Sequence, residues 1–164
     1  MQYIFQENQA IVYENDGEIL RVEAWGKDAL RVRAVMMGEI RDTRYALLDP
    51  EKSEVKIKVQ EHSATLVNGK ITAKMEFIEW NKCCTLHFFN EKGEELIREE
   101  GSGGALNLHS RYFKPRLNGD YELTVSFHAD PDEKVFGMGQ YQQEILNVKN
   151  CVLELAHRNS QASV

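Results

Sequence analysis

The sequence reads Asn68-Gly69-Lys70-Ile71-Thr72-Ala73-Lys74-Met75-Glu76-Phe77 in the stretch that decides the fold. Apolar residues occupy every second position from Ile71 to Phe77, which is the period-two pattern of a strand with one buried face. The Asn-Gly pair before them tolerates the positive φ of a tight hairpin turn. The stretch therefore predicts a half-buried antiparallel strand that leaves a hairpin.

The same alternation recurs along most of the chain. It is found at residues 20–24, 30–36, 55–59 and 121–127. Further reversals are predicted at Asp16-Gly17, Gly26-Lys27-Asp28, Lys92-Gly93 and Asn118-Gly119-Asp120. Only residues 140–148 have any tendency toward a short helical turn. We predict about ten or more antiparallel strands, which a chain of this size most easily arranges as an all-β sandwich of two packed sheets.

Composition sets limits on the kind of protein. A chain of 164 residues, 42% hydrophobic and 28% charged, is long enough for one globular domain, and we expect a single domain over residues 1–164. A net charge of −6 without clustered Lys and Arg argues against nucleic-acid binding. No apolar run approaches the roughly 20 residues of a membrane span, and no signal peptide is recognisable, so we expect a cytoplasmic protein.

The cysteines and histidines give no support for a metal or cofactor. Cys83 and Cys84 are adjacent in a strand-like run and point to opposite faces, which is poor geometry for a disulfide. With Cys151 the count is odd and no Cys-x-x-Cys spacing occurs, so we expect reduced thiols, no metal site and no cofactor. His87 and His128 fall on strand-like runs, where a paired or solvent-facing imidazole is the expected environment.

The candidate functional residues lie near the C-terminus. Glycines at Gly137 and Gly139 would clear one face of a strand, which suits either tight packing within a domain or close approach of another backbone or ligand. Gln140 and Tyr141 follow them and offer amide and phenol groups that suit sugar hydroxyls, although a solvated loop has the same composition. The carboxylates at 130–133 match turn composition rather than an acid/base pair. We find no catalytic constellation.

Two segments resemble a known family. Residues 136–142 read Phe-Gly-Met-Gly-Gln-Tyr-Gln, and residues 146–164 read Leu-Asn-Val-Lys-Asn-Cys-Val-Leu-Glu-Leu-Ala-His-Arg-Asn-Ser-Gln-Ala-Ser-Val. They are similar to the end of the N-terminal β-domain of glycoside hydrolase family 31, most of all its α-xylosidase-like branch. Residues 24–33 resemble the first long hairpin of that domain. Between about 40 and 130 the resemblance extends only to the strand pattern.

The resemblance implies a galactose-mutarotase-like β-sandwich placed before a (β/α)8 barrel. Family enzymes are retaining α-glycosidases whose Asp nucleophile and acid/base lie on the barrel, roughly 5 Å apart. This chain has neither the length nor the βα pattern of a barrel. It also ends at Val164 within an alternating run, which predicts a piece of a larger protein. By resemblance, Arg158 and Asn159 approach the sugar pocket, with Gln140 and Tyr141 as further candidates.

The resemblance also implies partners and leaves rivals. The partners are the protein's own catalytic barrel and an α-linked oligosaccharide or α-glycoside, with homo-oligomer contacts in the full-length enzyme. Many family members carry Glu where Gln140 stands, so that position does not assign a substrate. A free-standing carbohydrate-binding sandwich is the alternative, with Trp25, Trp80 and Tyr141 as stacking platforms unless Trp25 and Trp80 belong to the core. A mutarotase-like epimerase would need a His and Glu pair on one concave sheet.

Overall fold

The computed structural model describes residues 3–43, 47–101, 108–137 and 144–154. Within those ranges it contains eleven β-strands and no helix, as the all-β prediction required. The strands are β1 Ile4–Glu7, β2 Ala10–Asn15, β3 Glu18–Ala24, β4 Leu30–Met36, β5 Val55–Val59, β6 Ser63–Asn68, β7 Ile71–Ile78, β8 Cys83–Phe89, β9 Glu95–Arg98, β10 Arg111–Pro115 and β11 Tyr121–Val125. The chain divides into two compact units, Met1–His128 and Ala129–Val164, and these strands all belong to the first.

Strands that follow one another in sequence pair antiparallel and build two sheets. One sheet has the order β1-β2-β3-β4 and the other β5-β6-β7-β8-β9, while β10 and β11 form a separate hairpin. The predicted reversals at Gly17, Gly69, Gly93 and Gly119 are all present, each with a positive φ that glycine adopts without strain. The two-sheet antiparallel sandwich expected from the sequence is therefore confirmed.

The core lies between the two sheets and uses the residues that alternation predicted to be buried. Leu20 and Val22 of β3 face Leu66 of β6 and Met75 of β7, and all four are fully buried. Burying an aliphatic side chain of this size stabilises a fold by about 1.5–3 kcal/mol. The intervening polar residues stay at the outer faces, so the period-two pattern is the direct cause of the layered architecture.

Two hairpin turns bind each other across the sandwich. The Nδ2 group of the buried Asn68 donates hydrogen bonds to the carbonyl oxygens of Gly26 and Ala29, each at 2.7 Å. In return, Asp28 accepts a hydrogen bond from the backbone amide that follows Gly69, also at 2.7 Å. A Cβ atom at Gly69 would lie 2.0 Å from Asp28 Oδ1, so only glycine fits there. Asn68 and Gly69 therefore fix a turn and also join the two sheets.

The structure decides between the core and the surface for Trp80. This residue is 74% exposed because it occupies the turn between β7 and β8, where side chains leave the sandwich. Trp25 is half-buried, and the Arg31 guanidinium lies 3.7 Å from the centroid of its ring. One face of the Trp25 indole is thus covered by Arg31, whereas the Trp80 indole is exposed to solvent.

The second unit departs from the predicted strands. Neither residues 134–137, which include the Gly137 expected on a strand, nor residues 151–154 form a strand. Phe136 is 55% exposed, and Val152 is almost fully exposed. An extended segment becomes a strand only beside a partner, and the described residues of this unit supply none. Residues 144–148, the described part of the expected helical turn, contain no helix.

We predict that Leu66→Ala will lower the free energy of unfolding by about 2–5 kcal/mol, because the substitution leaves a cavity between the sheets. Chemical denaturation followed by circular dichroism measures the loss. Lys58→Ala on the exposed side of β5 is the control and should change stability by no more than about 0.5 kcal/mol. Equal effects of the two substitutions would contradict the assignment of the core.

Candidate functional site

The four residues predicted to contact substrate, Arg158, Asn159, Gln140 and Tyr141, lie outside the described residues. Their predicted role therefore remains a prediction. The described residues nearest to them in sequence are Gly137 and those of 144–154, all in the second unit.

Hydrogen bonds join the chain on either side of Gln140 and Tyr141. The amide of Val148 donates to the carbonyl of Val135 at 2.8 Å, and the amide of Val135 donates to Asn147 Oδ1 at 2.9 Å. Val148 is buried, which gives this contact an apolar anchor. The bonds bring together two points of the chain that are 12 to 13 residues apart, so they close the stretch of sequence that contains both candidates.

A lysine braces the start of the second unit. Lys149 Nζ donates to the carbonyls of Asp130 and Pro131, the latter at 3.1 Å, and lies 3.8 Å from the Glu133 carboxylate. Asp130 in turn accepts a hydrogen bond from the amide of Asp132 at 2.8 Å. The prediction that these carboxylates form a turn is confirmed, and their geometry serves backbone structure.

Gly137 has φ of +93°, a conformation that disfavours other residues. A Cβ added at this position would meet nothing within 4 Å. Glycine is therefore required here for backbone conformation, and no described group of the chain approaches it closely.

A buried ion cluster is the feature that sequence reasoning missed. Arg111 Nε donates to Glu18 at 2.7 Å, its Nη1 donates to Glu99, and its Nη2 donates to the carbonyl of Cys84 at 2.6 Å. Glu99 also accepts the backbone amide of Leu86 at 2.9 Å. Arg111, Glu18 and Glu99 are each at most 8% exposed.

The chemistry of this cluster is structural. Burial alone would lower the pKa of Arg111, but the carboxylates of Glu99 and Glu18 raise it well above its ordinary value, so the guanidinium stays charged. Both carboxylates are bound to that guanidinium, so neither is available as a nucleophile or acid/base. No local motif could have predicted the cluster, because Arg111 is 93 positions from Glu18 and 12 positions from Glu99 in the sequence.

The outer face of the four-stranded sheet forms a shallow groove of about 410 Å³. Its floor includes Val12, and its lining contains five carboxylates and two guanidinium groups. Glu23 accepts from Arg31 at 2.8 Å and from Arg33 at 2.7 Å, and it lies 3.4 Å from Arg21. This carboxylate is shared by three guanidinium groups, so its oxygens are occupied by structural contacts.

The described histidines on strand-like runs are paired with carboxylates. His87 lies 3.0 Å from Glu95, and His128 lies 2.7 Å from Glu100. The hydrogen bonds of Glu95 with His87 and Arg98 lower the pKa of that carboxyl. The expectation of paired or solvent-facing imidazoles is confirmed.

In the described ranges no three His, Cys, Asp or Glu side chains come together as metal ligands. The same residues contain no helix long and apolar enough to cross a membrane.

The thiols occupy different environments. Cys83 and Cys84 are free and buried, whereas Cys151 is free and exposed. Burial raises the pKa of both Cys83 and Cys84, so these thiols remain protonated and unreactive at neutral pH.

Comparison with known proteins places this architecture. No family model matches the chain. An uncharacterized family 31 glucosidase from Pseudescherichia vulneris is 41% identical over 181 aligned residues, which cover 100% of this chain and 33% of that protein. Alpha-xylosidase A from Aspergillus niger is 29% identical over 72 residues, 43% of this chain and 10% of that protein.

Solved structures agree. The crystal structure of a GH31 α-xylosidase from a soil metagenome, complexed with xylose, superimposes with a TM-score of 0.83 at 37% identity over 98% of this chain and 25% of that one. A xylosidase from Aspergillus niger has a TM-score of 0.62 at 21% identity over 87% of this chain and 22% of that one, which shows the shared fold.

These likenesses define the chain first as a β-sandwich domain of the kind found in glycosidases. More particularly, it is homologous to glycoside hydrolase family 31 enzymes and corresponds to an N-terminal domain of such an enzyme, which confirms the resemblance seen in the sequence. The chain spans about a third of the length of the glucosidase and a quarter of the α-xylosidase structure.

We predict that Arg111→Ala will destabilise the first unit by about 3–5 kcal/mol, since it leaves Glu18 and Glu99 buried without a counter-charge. Urea unfolding measures this loss. Arg116→Ala, which removes an exposed pair with Glu122, is the control and should cost at most about 1 kcal/mol.

The loss of unfolding free energy caused by Arg111→Ala should also become smaller at lower pH. Without the guanidinium the two buried carboxylates have no counter-charge, so conditions that remove their negative charge favour the folded variant. The stability gap between variant and parent should therefore narrow between about pH 7 and pH 5. A gap that widens over this range would contradict the buried-charge explanation.

In the native protein we expect a thiol reagent at neutral pH to modify the exposed Cys151 quickly. The buried Cys83 and Cys84 should react only after unfolding. The fast phase should disappear in Cys151→Ser and persist in Cys83→Ser. Rapid modification of all three thiols would show that the β8 end of the core is open.

Proposed function

We propose that this chain is the non-catalytic N-terminal domain of a retaining α-glycosidase of the α-xylosidase or α-glucosidase type. In this proposal residues 1–164 form one domain that braces a (β/α)8 catalytic barrel and contributes a loop to the substrate pocket. The observation that carries it is a 41% identity over the whole chain to a family 31 glucosidase three times as long.

The electrostatics of the described residues support a non-catalytic role. Retaining hydrolysis needs two carboxyl groups roughly 5 Å apart, one to attack and one to exchange a proton. The buried carboxylates Glu18 and Glu99 both bind Arg111, and the groove carboxylate Glu23 is shared by arginines. The proposal assigns the catalytic pair to the part of the longer enzyme that the chain does not match.

The proposed contact with substrate is made by the loop that contains Arg158 and Asn159. A guanidinium and an amide can donate to and accept from sugar hydroxyls, and in a family enzyme the corresponding loop approaches the barrel mouth. Gln140 and Tyr141 are secondary candidates, since the hydrogen bonds between Val135 and Val148 hold the ends of their segment together.

The substrate and cellular setting belong to the same proposal. The named relatives are a glucosidase and α-xylosidases, so an α-xyloside, an α-glucoside or an α-linked oligosaccharide is the proposed substrate. A cytoplasmic location in carbohydrate metabolism and a homo-oligomeric full-length enzyme complete it.

The direct test compares the protein encoded by the complete reading frame with the 164-residue chain. The complete protein should hydrolyse an aryl α-xyloside or α-glucoside with retention at the anomeric carbon, followed by nuclear magnetic resonance, and the chain alone should not. Equal activity of the two proteins would refute a non-catalytic role, and an inactive complete protein would refute the glycosidase.

In the complete enzyme we predict that Arg158→Ala and Asn159→Ala each lower kcat/KM by roughly 10- to 100-fold, the loss of one charged or strong hydrogen bond to the sugar. Arg116→Ala, on the exposed hairpin turn, should leave kcat/KM unchanged. Parallel thermal unfolding separates loss of binding from loss of structure. Unchanged kinetics in both variants would remove this loop from the pocket.

One observation favours the alternative, a free-standing carbohydrate-binding sandwich. Trp80 is 74% exposed on the turn after β7, where an indole could stack against a sugar ring. This alternative expects saturable binding of α-linked oligosaccharides to the 164-residue chain by calorimetry, abolished by Trp80→Ala and retained in Trp25→Ala. No heat of binding at millimolar sugar would eliminate it.

A further inference from the structure

The β10–β11 hairpin continues the five-stranded sheet beyond its edge. Just after β9, Glu99 forms an antiparallel bridge with Phe127. The backbone amide of Glu100 donates to the carbonyl of Ser126 at 3.0 Å, and the backbone amide of His128 donates to the carbonyl of Arg98 at 2.9 Å. The residues that follow β11 therefore lie beside the residues that follow β9, and the hairpin extends the same layer.

The register shows which face the hairpin presents. Glu99 is buried and bonds the backbone of Leu86, a core residue, so its side chain lies on the inner face. Phe127 is its bridge partner and shares that face, because directly opposed residues on paired strands point the same way. Alternate residues along β11 follow it, and Phe113 of β10 is opposite Leu123. The members of this inner hairpin face are Arg111, Phe113, Pro115, Tyr121, Leu123, Val125 and Phe127.

Apart from Arg111, which is buried in the ion cluster, the inner hairpin face is apolar, and its β11 side is open to solvent. Leu123 is 48% exposed, Val125 38% and Phe127 48%, although the same layer is closed over the core at β6 to β8. The opposite face of the hairpin carries Tyr112, Lys114, Glu122 and Thr124, as expected for a surface that stays in water. The predicted alternation in β11 is thus real, but the four-stranded sheet does not cover its apolar side.

The limited size of this face argues against a second copy of the chain as the occupant. An apolar patch of ordinary size has on the order of 300–600 Å², so a symmetric dimer through it would bury about 600–1,200 Å², whereas stable interfaces bury about 1,200–2,000 Å² in total. A covalently linked region needs less area, because the linkage holds it at an effective concentration of about millimolar or above. The homologous glucosidase is three times as long as this chain, so such a region exists in a homologue.

We propose that the inner hairpin face is the docking surface for the catalytic region of the complete enzyme. The inference rests on the proposed function, since it requires the longer enzyme, and it adds which side of the domain meets the rest. The apolar face continues the sandwich core outward, so the catalytic region completes the layer that the four-stranded sheet leaves open. The domain is then braced by shared core rather than by a flexible tether.

Hydroxyl-radical footprinting with mass spectrometry tests the surface, because two tyrosines of the hairpin form a matched pair. Tyr121 lies on the inner hairpin face and Tyr112 on the opposite face, and they are 39% and 46% exposed. In the 164-residue chain both should be labelled at similar rates. In the complete protein, labelling of Tyr121 and Phe127 should fall severalfold while that of Tyr112 is unchanged. Equal labelling of Tyr121 in the two proteins would overturn the proposal.

A substitution pair provides the second measurement. Leu123→Lys and Thr124→Lys place the same charge on opposite faces of β11, and both positions are exposed in the chain alone. Neither should lower the melting temperature of the 164-residue chain. In the complete protein only Leu123→Lys should increase the rate of proteolytic release of the domain, by about tenfold or more, because it would bury an unpaired ammonium in the contact.

The remaining outcomes separate the two proposals. Concentration-dependent protection of Tyr121 in the 164-residue chain, lost in Leu123→Lys, would assign the face to a second copy and overturn docking of the catalytic region. Protection of Tyr121 in a complete protein that hydrolyses no α-glycoside would support the docking surface and refute the glycosidase. Hydrolysis without protection would refute only the docking surface.

Discussion

The ion cluster around Arg111 is the contact on which the arrangement of the first unit depends. Through Glu18 it reaches the four-stranded sheet, and through Cys84 and Glu99 it reaches the five-stranded sheet, so one side chain of the hairpin holds both layers. A buried ion pair contributes little net stability compared with apolar packing, but its hydrogen bonds are directional. Its role is therefore geometric, since it sets where the hairpin begins and hence where the inner hairpin face lies.

The sequence predicts those parts of the fold that depend on local patterns. Alternation from Ile71 to Phe77 and the Asn68-Gly69 turn correspond closely to β7 and the reversal before it. Long-range contacts are a different matter. Nothing near Arg111 indicates that its partners lie on β3 and after β9, and nothing near Trp80 shows that its turn points away from the core. Alternation in β11 predicts a two-faced strand but not whether another layer covers it.

The candidate site follows the same division. The family resemblance rests on the segments around Gly137 and Arg158, and the comparisons bear it out for the chain as a whole. In the described parts of the second unit, residues 134–137 and 151–154 are not strands, because a strand needs a neighbour and a local pattern cannot show whether one is present. Residue types at 140–141 and 158–159 suggest sugar contacts. In the proposed function, the catalytic groups that would give them a role belong to the longer enzyme.

The sheet order has a consequence for how the molecule folds. Both sheets are meanders, so their ladders connect strands that are neighbours in sequence and can form by successive hairpin closures at low entropic cost. What remains non-local is the meeting of the layers, including the bonds of Asn68 to Gly26 and Ala29. Layer docking is then the slow step, and until it is complete each sheet presents an apolar face to solvent. The hydrogen bonds of Asn68 can form only once β6 has been made, so the apolar face of the first sheet has no partner layer until that point in synthesis.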